Sequence, residues 1–371
     1  MIHRLFLLLS LIIPILFILP VFASSSYTNE VETDVRFKKS LPIYLQHDSG
    51  DVTIQGWNQD LIRVRLRKTV TADSQELATE NAARFNLVSL ETPKAIELRV
   101  GTPLGTDLLT KLRNREKKKD VRVDLEIKAP LNLGLTLVLG TGKKLSLSQW
   151  RGEVRINGLN GQIDLSKLKL NQPLNVQCPD CAIHIVDSEF SGSILGGNQK
   201  IAFEKVKAVS KPLMVFTKNG EIALAETQGE IQLRSEAGSV SVKNHRGDLH
   251  AQTDSGSVSL DAMSGEIDVQ TNSGAIRCDL QKPGELIEMK SKDGAISISV
   301  PTEFKGALDL QSVQGAVDSE FSIKEKKTRM DEYGPSIKGK VLGVVGDRES
   351  PLITAVSETG GIRIGKRGSQ K

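Results

Sequence analysis

Gly238-Ser239-Val240-Ser241-Val242, then Gly247-Asp248-Leu249-His250-Ala251, Gly256-Ser257-Val258-Ser259-Leu260 and Gly265-Glu266-Ile267-Asp268-Val269, follow one another at nine-residue intervals. In each, the second and fourth residues after the glycine are apolar and the residues between them are polar. Alternation with period two is the pattern of a half-buried strand, whereas a helix places its apolar stripe at spacings of three and four. A glycine-punctuated strand that returns at fixed period is one side of a coil, and stacked coils make a β-solenoid.

Working outward, the same period holds at Gly220, Gly229, Gly238, Gly247, Gly256, Gly265 and Gly274, and continues with a slight stretch at Gly284 and Gly294. The second position holds Ile222, Ile231, Val240, Leu249, Val258, Ile267, Ile276, Leu286 and Ile296. The fourth holds Leu224, Leu233, Val242, Ala251, Leu260, Val269, Cys278, Glu288 and Ile298, so only Glu288 breaks the column. A bulge that turns Ile287 or Met289 inward would repair it. Asn219, Asp254-Ser255, Ser264, Asn272-Ser273 and Asp293 precede glycines as turn residues, and the glycines are expected to take the positive φ of a sharp corner. Five extended residues and a four-residue turn make one side, so two units complete a rung that buries Ile over Ile and Val over Val.

Weaker copies stand at Gly50, Gly152, Gly161, Gly306 and Gly315, and Gly361-Ile362-Arg363-Ile364 reads as a last strand. The expected class is all-β, a β-solenoid of nine-residue strand-turn units over residues 35–366, with a tail at 367–371. Between Thr69 and Asp120 the alternation lapses. Asp73-Ser74-Gln75-Glu76 reads as a capping box with Asp73 as N-cap, and Leu77, Ala78, Ala82 and Phe85 share a face, which predicts a helix over 74–85 flanking the open end. This helix and the basic run Lys111 to Lys119 form an insertion at about 71–120, and a second spans about 321–346.

The N-terminus points to export. A basic head at Arg4, an apolar run from Leu5 to Leu19 and a small residue at Ala23 make a signal peptide over 1–23, followed by a linker over 24–34. The apolar run contains Pro14 and Pro20 and is a marginal membrane span, so membrane contact is expected only if it is left uncleaved. The expected location is the periplasm or cell surface. A net charge of +4 over 371 residues is too small for a nucleic-acid footprint. The run Lys111 to Lys119 reads as a solvated loop, with contact to an anionic surface as the other reading.

The chemistry-bearing residues are few. Cys178-Pro179-Asp180-Cys181 is a CxxC between two strand patterns; in an oxidising compartment it reads as a structural disulfide across a turn, with free thiols or metal and redox chemistry as the other readings. Cys278 stands at an inward position as a buried thiol. His47, His184, His245 and His250 have no accompanying nucleophile motif and read as surface or turn residues. Gly140-Thr141-Gly142-Lys143-Lys144 lacks the spacing of a phosphate loop, and single aspartates at Asp164, Asp248 and Asp268 do not make a calcium roll. No catalytic residue, metal site or cofactor is expected.

Leu45-Gln46-His47-Asp48-Ser49-Gly50-Asp51-Val52-Thr53-Ile54-Gln55-Gly56-Trp57, the strand pair from Val121 to Leu139, the repeated glycine units and the closing Thr359-Gly360-Gly361-Ile362-Arg363-Ile364 together resemble the bacterial "putative adhesin" family of unknown function. The resemblance implies a β-solenoid and no catalytic residues, and its motifs specify fold rather than activity. The function expected is an exported, non-enzymatic scaffold or adhesin-like protein of the cell envelope that binds an envelope or surface protein through solenoid faces or ends. The alternative is a polysaccharide-active β-helix enzyme or carbohydrate-binding protein. Aromatic residues at 4%, with Trp57, Trp150, Tyr27, Tyr44 and Tyr333 scattered, argue against it.

Overall fold

The computed structural model describes residues 25–37, 41–47, 50–101, 120–140, 144–325, 339–347 and 350–368. The signal-peptide pattern at 1–23, the basic run Lys111 to Lys119 and the centre of the 321–346 insertion lie outside them.

The chain is a β-solenoid whose rung is eighteen residues through the glycine repeat and twenty or twenty-one at several rungs outside it. Ile222 pairs with Val240 and Val240 with Val258, all parallel. The intervening units stack separately, Ile231 on Leu249 and Leu249 on Ile267. Successive nine-residue units thus alternate between two parallel ladders that face each other across one core, as two units per rung require. Both inward positions of every unit from Gly220 to Gly274 are buried, including Cys278. At the Glu288 break the register shifts, Ile287 and Met289 pair with Ile267 and Val269 and are buried, and Leu286 is left 44% exposed. An inward Leu286 fails because the longer turn inserts residues and swaps the faces of the following strand.

The two kinds of unit turn differently. Gly229, Gly247 and Gly265 have φ of +95°, +130° and +125°, but Gly220, Gly238, Gly256 and Gly274 do not use the left-handed region expected of them. These four are glycines because of crowding: a Cβ on each would stand 1.9 to 2.1 Å from a carbonyl oxygen of the rung before. The residue three before each is a buried hydroxyl, Thr217, Ser235, Thr253 or Thr271, and Ser291, Ser312 and Ser357 continue the row. Thr253 Oγ1 accepts from Gly256 N at 3.0 Å and donates to Gly238 O at 3.4 Å, so one hydroxyl satisfies a turn amide and ties two rungs together. Thr217, Ser291, Ser312 and Ser357 repeat the pair of bonds.

Both ends fold back into the stack. Strands Ile43–His47 and Val52–Trp57 lie between those of the 96–130 rung and the 135–148 rung. At the other end, Leu352–Ser357 and Ile362–Lys366 enter between 286–300 and 306–319. The strand near the C-terminus, Ile362–Lys366, is the last described strand in chain order, and in space it is an interior rung. Antiparallel strands close the stack: Asn86–Glu91 on Ile96–Gly101 and Ile62–Ala72 on Asp120–Pro130 at one end, Gly339–Val345 and Ile323–Glu325 at the other.

Residues 25–34 are not a linker: they form most of strand Ser25–Val35, antiparallel to Ile62–Ala72. Its carboxylates stand opposite arginines in register, Asp34 to Arg63 at 2.8 Å, Glu32 to Arg65 at 2.9 Å and Glu30 to Arg67 at 2.6 Å. Charges on an outermost strand also discourage edge-to-edge pairing.

The helix spans Gln75–Ala83. Its N-cap is Ser74 and not Asp73, with the Ser74 hydroxyl accepting from Leu77 N at 3.2 Å. With the cap one residue later, Leu77 takes the third helical position and Glu76 cannot reciprocate. Ala78, Asn81 and Ala82 are buried, and Ala78 and Ala82 pack on Val70 and Ala72 at the N-terminal end of the stack. Lys68, 4% exposed, donates through Nζ to Ala82 O at 3.3 Å and to Asn86 Oδ1 at 3.1 Å, a cation at the helix C-terminus whose burial lowers its pKa.

Candidate functional site

Cys178 and Cys181 form a disulfide across the turn between strands Leu174–Gln177 and Asp180–Leu195, with Cα atoms 5.4 Å apart. Both are buried, and a Cβ on Gly158 would come within 3.0 Å of Cys178 Sγ. The bridge is packed into the core and offers no face to a reactant. Cys278 is buried in the column, and desolvation pushes its thiol pKa well up, which suppresses the reactive thiolate.

The histidines do not converge. His184 is exposed, and His250 Nδ1 lies 2.7 Å from Asp268 Oδ2. Two expected at the surface are interior: His47 is 3% exposed and His245 fully buried. His245 follows the corner residue Asn244, and the next inward position of the coil points it into the core between Thr227 and Met263, the equivalent residues one rung away on either side. Its Nδ1 and Thr227 Oγ1 are 2.9 Å apart, Nε2 has no partner among the described residues, and burial lowers its pKa. No group of three or more His, Cys, Asp or Glu among the described residues is placed to hold a metal ion.

What the sequence did not disclose is a corner. Where each strand of the ladder that contains Ile222, Val240 and Val258 turns toward the other ladder, it does so through a non-glycine residue with positive φ: Gln149, Lys167, Asp187, Lys205, Glu226, Asn244 and Ala262, at 49° to 57°. Such residues are uncommon in this region and carry a strain of order 1–2 kcal/mol each. The next residue points inward, and the one after faces outward in a bridge to its neighbours, as in the row Gln228, Arg246 and Ser264. Two outward rows therefore run along the axis, one rung every ~4.8 Å.

Two clefts lie on this corner. The first, about 620 Å³, is lined by Gln55, Gly56, Trp57, Asn58, Lys128, Leu131, Gln149, Trp150, Arg151, Lys167 and Lys169. Its lining includes four cations, no carboxylate and both tryptophans of the chain. Trp150 is wholly buried and donates to Leu133 O at 2.9 Å. Trp57 is half-buried, donates to Leu61 O at 3.0 Å and carries the Arg63 guanidinium 5.6 Å from its ring centre. Gln55 Nε2 donates to Gln149 Oε1 at 3.0 Å across the cleft. The second cleft, about 700 Å³, mixes signs: Asp187, Glu189 and Glu226 alternate with Lys205, Lys207 and Arg246. Glu189, which lines this second cleft, is in register with Lys207 on one side and with Lys169 of the first cleft on the other. A Lys-x-Lys stands at both Lys167 and Lys205 in the sequence, but only the strand register, with rungs of twenty and eighteen residues between them, places the two on one corner.

The family model described as Toastrack DUF4097 matches residues 27–336. Two solved structures are similar. One is described as a putative cell adhesion protein from Clostridium sporogenes, 11% identical, covering 92% of this chain and 100% of its own, with a TM-score of 0.20. The other is described as a putative adhesin from Bacteroides fragilis, 11% identical, covering 91% of this chain and 97% of its own, with a TM-score of 0.22. Superposition at that level carries no argument about function. No curated protein matches the sequence.

Proposed function

The chain belongs to the Toastrack DUF4097 family, and from that premise we propose an exported, non-enzymatic, adhesin-like scaffold of the cell envelope that holds a protein partner on its solenoid faces or ends. The observation that carries the reading is the hydroxyl and glycine spine, from Thr217 to Ser357, which locks rung to rung. A stack tied in this way keeps broad outward rows at fixed spacing, which suits positioning a partner more than reshaping around a substrate. The outward rows carry mixed polar residues, and the described histidines and cysteines are spread through the molecule or buried, which favours binding over turnover. Export rests on the signal-peptide pattern at 1–23, and the Cys178–Cys181 bridge suits an oxidising compartment.

The test is capture from envelope fractions with the full chain immobilised, alongside turnover on a polysaccharide panel. A saturable envelope protein with no turnover supports the reading. Turnover that is lost on mutating one acidic cluster would replace it with the enzyme alternative.

A further inference from the structure

We infer that the first corner cleft is a binding site for an anionic polysaccharide, carboxylate- or phosphate-bearing, laid along the solenoid axis. This goes beyond the protein-partner reading and does not depend on it. Lys128, Arg151, Lys167 and Lys169 enter the cleft, and none of them forms an ion pair among the described residues. Two outward cations on neighbouring strands of this ladder are matched, Lys144 with Asp164 at 2.9 Å and Arg122 with Asp51 at 2.7 Å. The cleft itself holds no carboxylate; Glu189, in register with Lys169, and Glu126, beside Lys128, stand outside it, so the four cations repel one another within the cleft and an anion bound there relieves that repulsion. The adjoining cleft, with the same backbone corner, is of mixed sign: there Lys205 and Lys207 sit among Asp187, Glu189 and Glu226. The difference between the clefts is therefore one of side-chain charge and not of fold.

The remaining lining favours a sugar over an acidic peptide. Gln55 and Gln149 share one hydrogen bond, which leaves an amide N–H and a carbonyl oxygen to serve hydroxyl groups that both donate and accept. Carboxylates of an acidic peptide only accept. Trp57, held by its bond to Leu61 O, supplies a fixed apolar edge against which the C–H face of a pyranose can lie. Cations placed at strand spacing along the axis suit a linear polymer with a charge on each repeat, and Arg151 and Lys169 occupy equivalent places one rung apart.

Both tryptophans of the chain line this cleft, so intrinsic fluorescence reports its occupancy directly. The full chain is titrated at low salt with polygalacturonate, with a phosphomannan, with neutral dextran and with a poly-glutamate peptide. The expected result is a saturable tryptophan signal with one or both anionic glycans, the stronger naming the source of the charge. It should weaken at least tenfold in Lys167→Gln/Lys169→Gln and in Arg151→Gln, weaken with added salt, and stay unchanged in Lys205→Gln/Lys207→Gln. Unchanged melting of the variants shows that the loss is not unfolding. Three results overturn the inference: no signal with either anionic glycan, binding indifferent to the cleft variants, or tighter binding of poly-glutamate than of glycan. Because the readout is cleft occupancy, it can fail while an envelope protein is still captured, and the reverse.

Discussion

The carbonyl oxygen of Gly238 lies 2.1 Å from where a Cβ on Gly256 would stand. Real side chains do not approach backbone oxygen so closely, so Gly256→Ala must push two rungs apart. The expected loss is about 3 kcal/mol, at the upper end of overpacking costs, read from denaturant unfolding. A loss below about 0.5 kcal/mol would show that the turn is looser than described.

Thr253 should tolerate serine and not valine. Valine keeps the shape but strands Gly256 N and Gly238 O without the hydroxyl that joins them. Leaving a buried donor unsatisfied costs about 1–3 kcal/mol, whereas Thr253→Ser retains both bonds. Equal stability of the two variants would remove the hydroxyl spine from the account.

His245 makes stability depend on pH. Burial lowers its folded pKa below the ordinary histidine value of about 6.5, so the unfolded chain binds the proton more tightly. Its contribution is fully present above pH 6.5 and is lost as pH falls from there toward the folded value. The difference in unfolding free energy between the wild type and His245→Leu should therefore shift in favour of the variant between pH 7.5 and 5.5. An unchanged difference would mean that the imidazole is already solvated.

Thiol counting separates the cysteines. The native protein should label at none of its three cysteines, the unfolded unreduced protein at Cys278 alone, and the unfolded reduced protein at all three. Three free thiols without reductant would remove the Cys178–Cys181 bridge.

The repeat was legible because each unit buries the same two positions, and even the Ile287 and Met289 repair followed from the Glu288 break. Other features required register. Thr217, Ser235, Thr253 and Thr271 recur three residues before alternate glycines, but at a period of eighteen that a nine-residue reading overlooks. Strand Ser25–Val35 reads as linker because its alternation is of charge, Glu30, Glu32 and Asp34, and the matching Arg63, Arg65 and Arg67 lie 29 to 37 residues away. The return of 352–366 into the stack leaves no local trace at all. The corner cleft escaped for the same reason, since Trp57, Lys128, Trp150 and Lys167 come from different rungs.

The eighteen-residue rung underlies every assignment above, and paired cysteines test it most directly. Ser241 and Ser259 are register partners on neighbouring strands of one ladder, about 4.8 Å apart and within disulfide reach. His250 stands nine residues from Ser241 but on the opposite ladder. Mild oxidation of Ser241→Cys/Ser259→Cys should give an intramolecular bridge, and Ser241→Cys/His250→Cys should give none. A bridge in the second pair and not in the first would contradict the two-ladder solenoid.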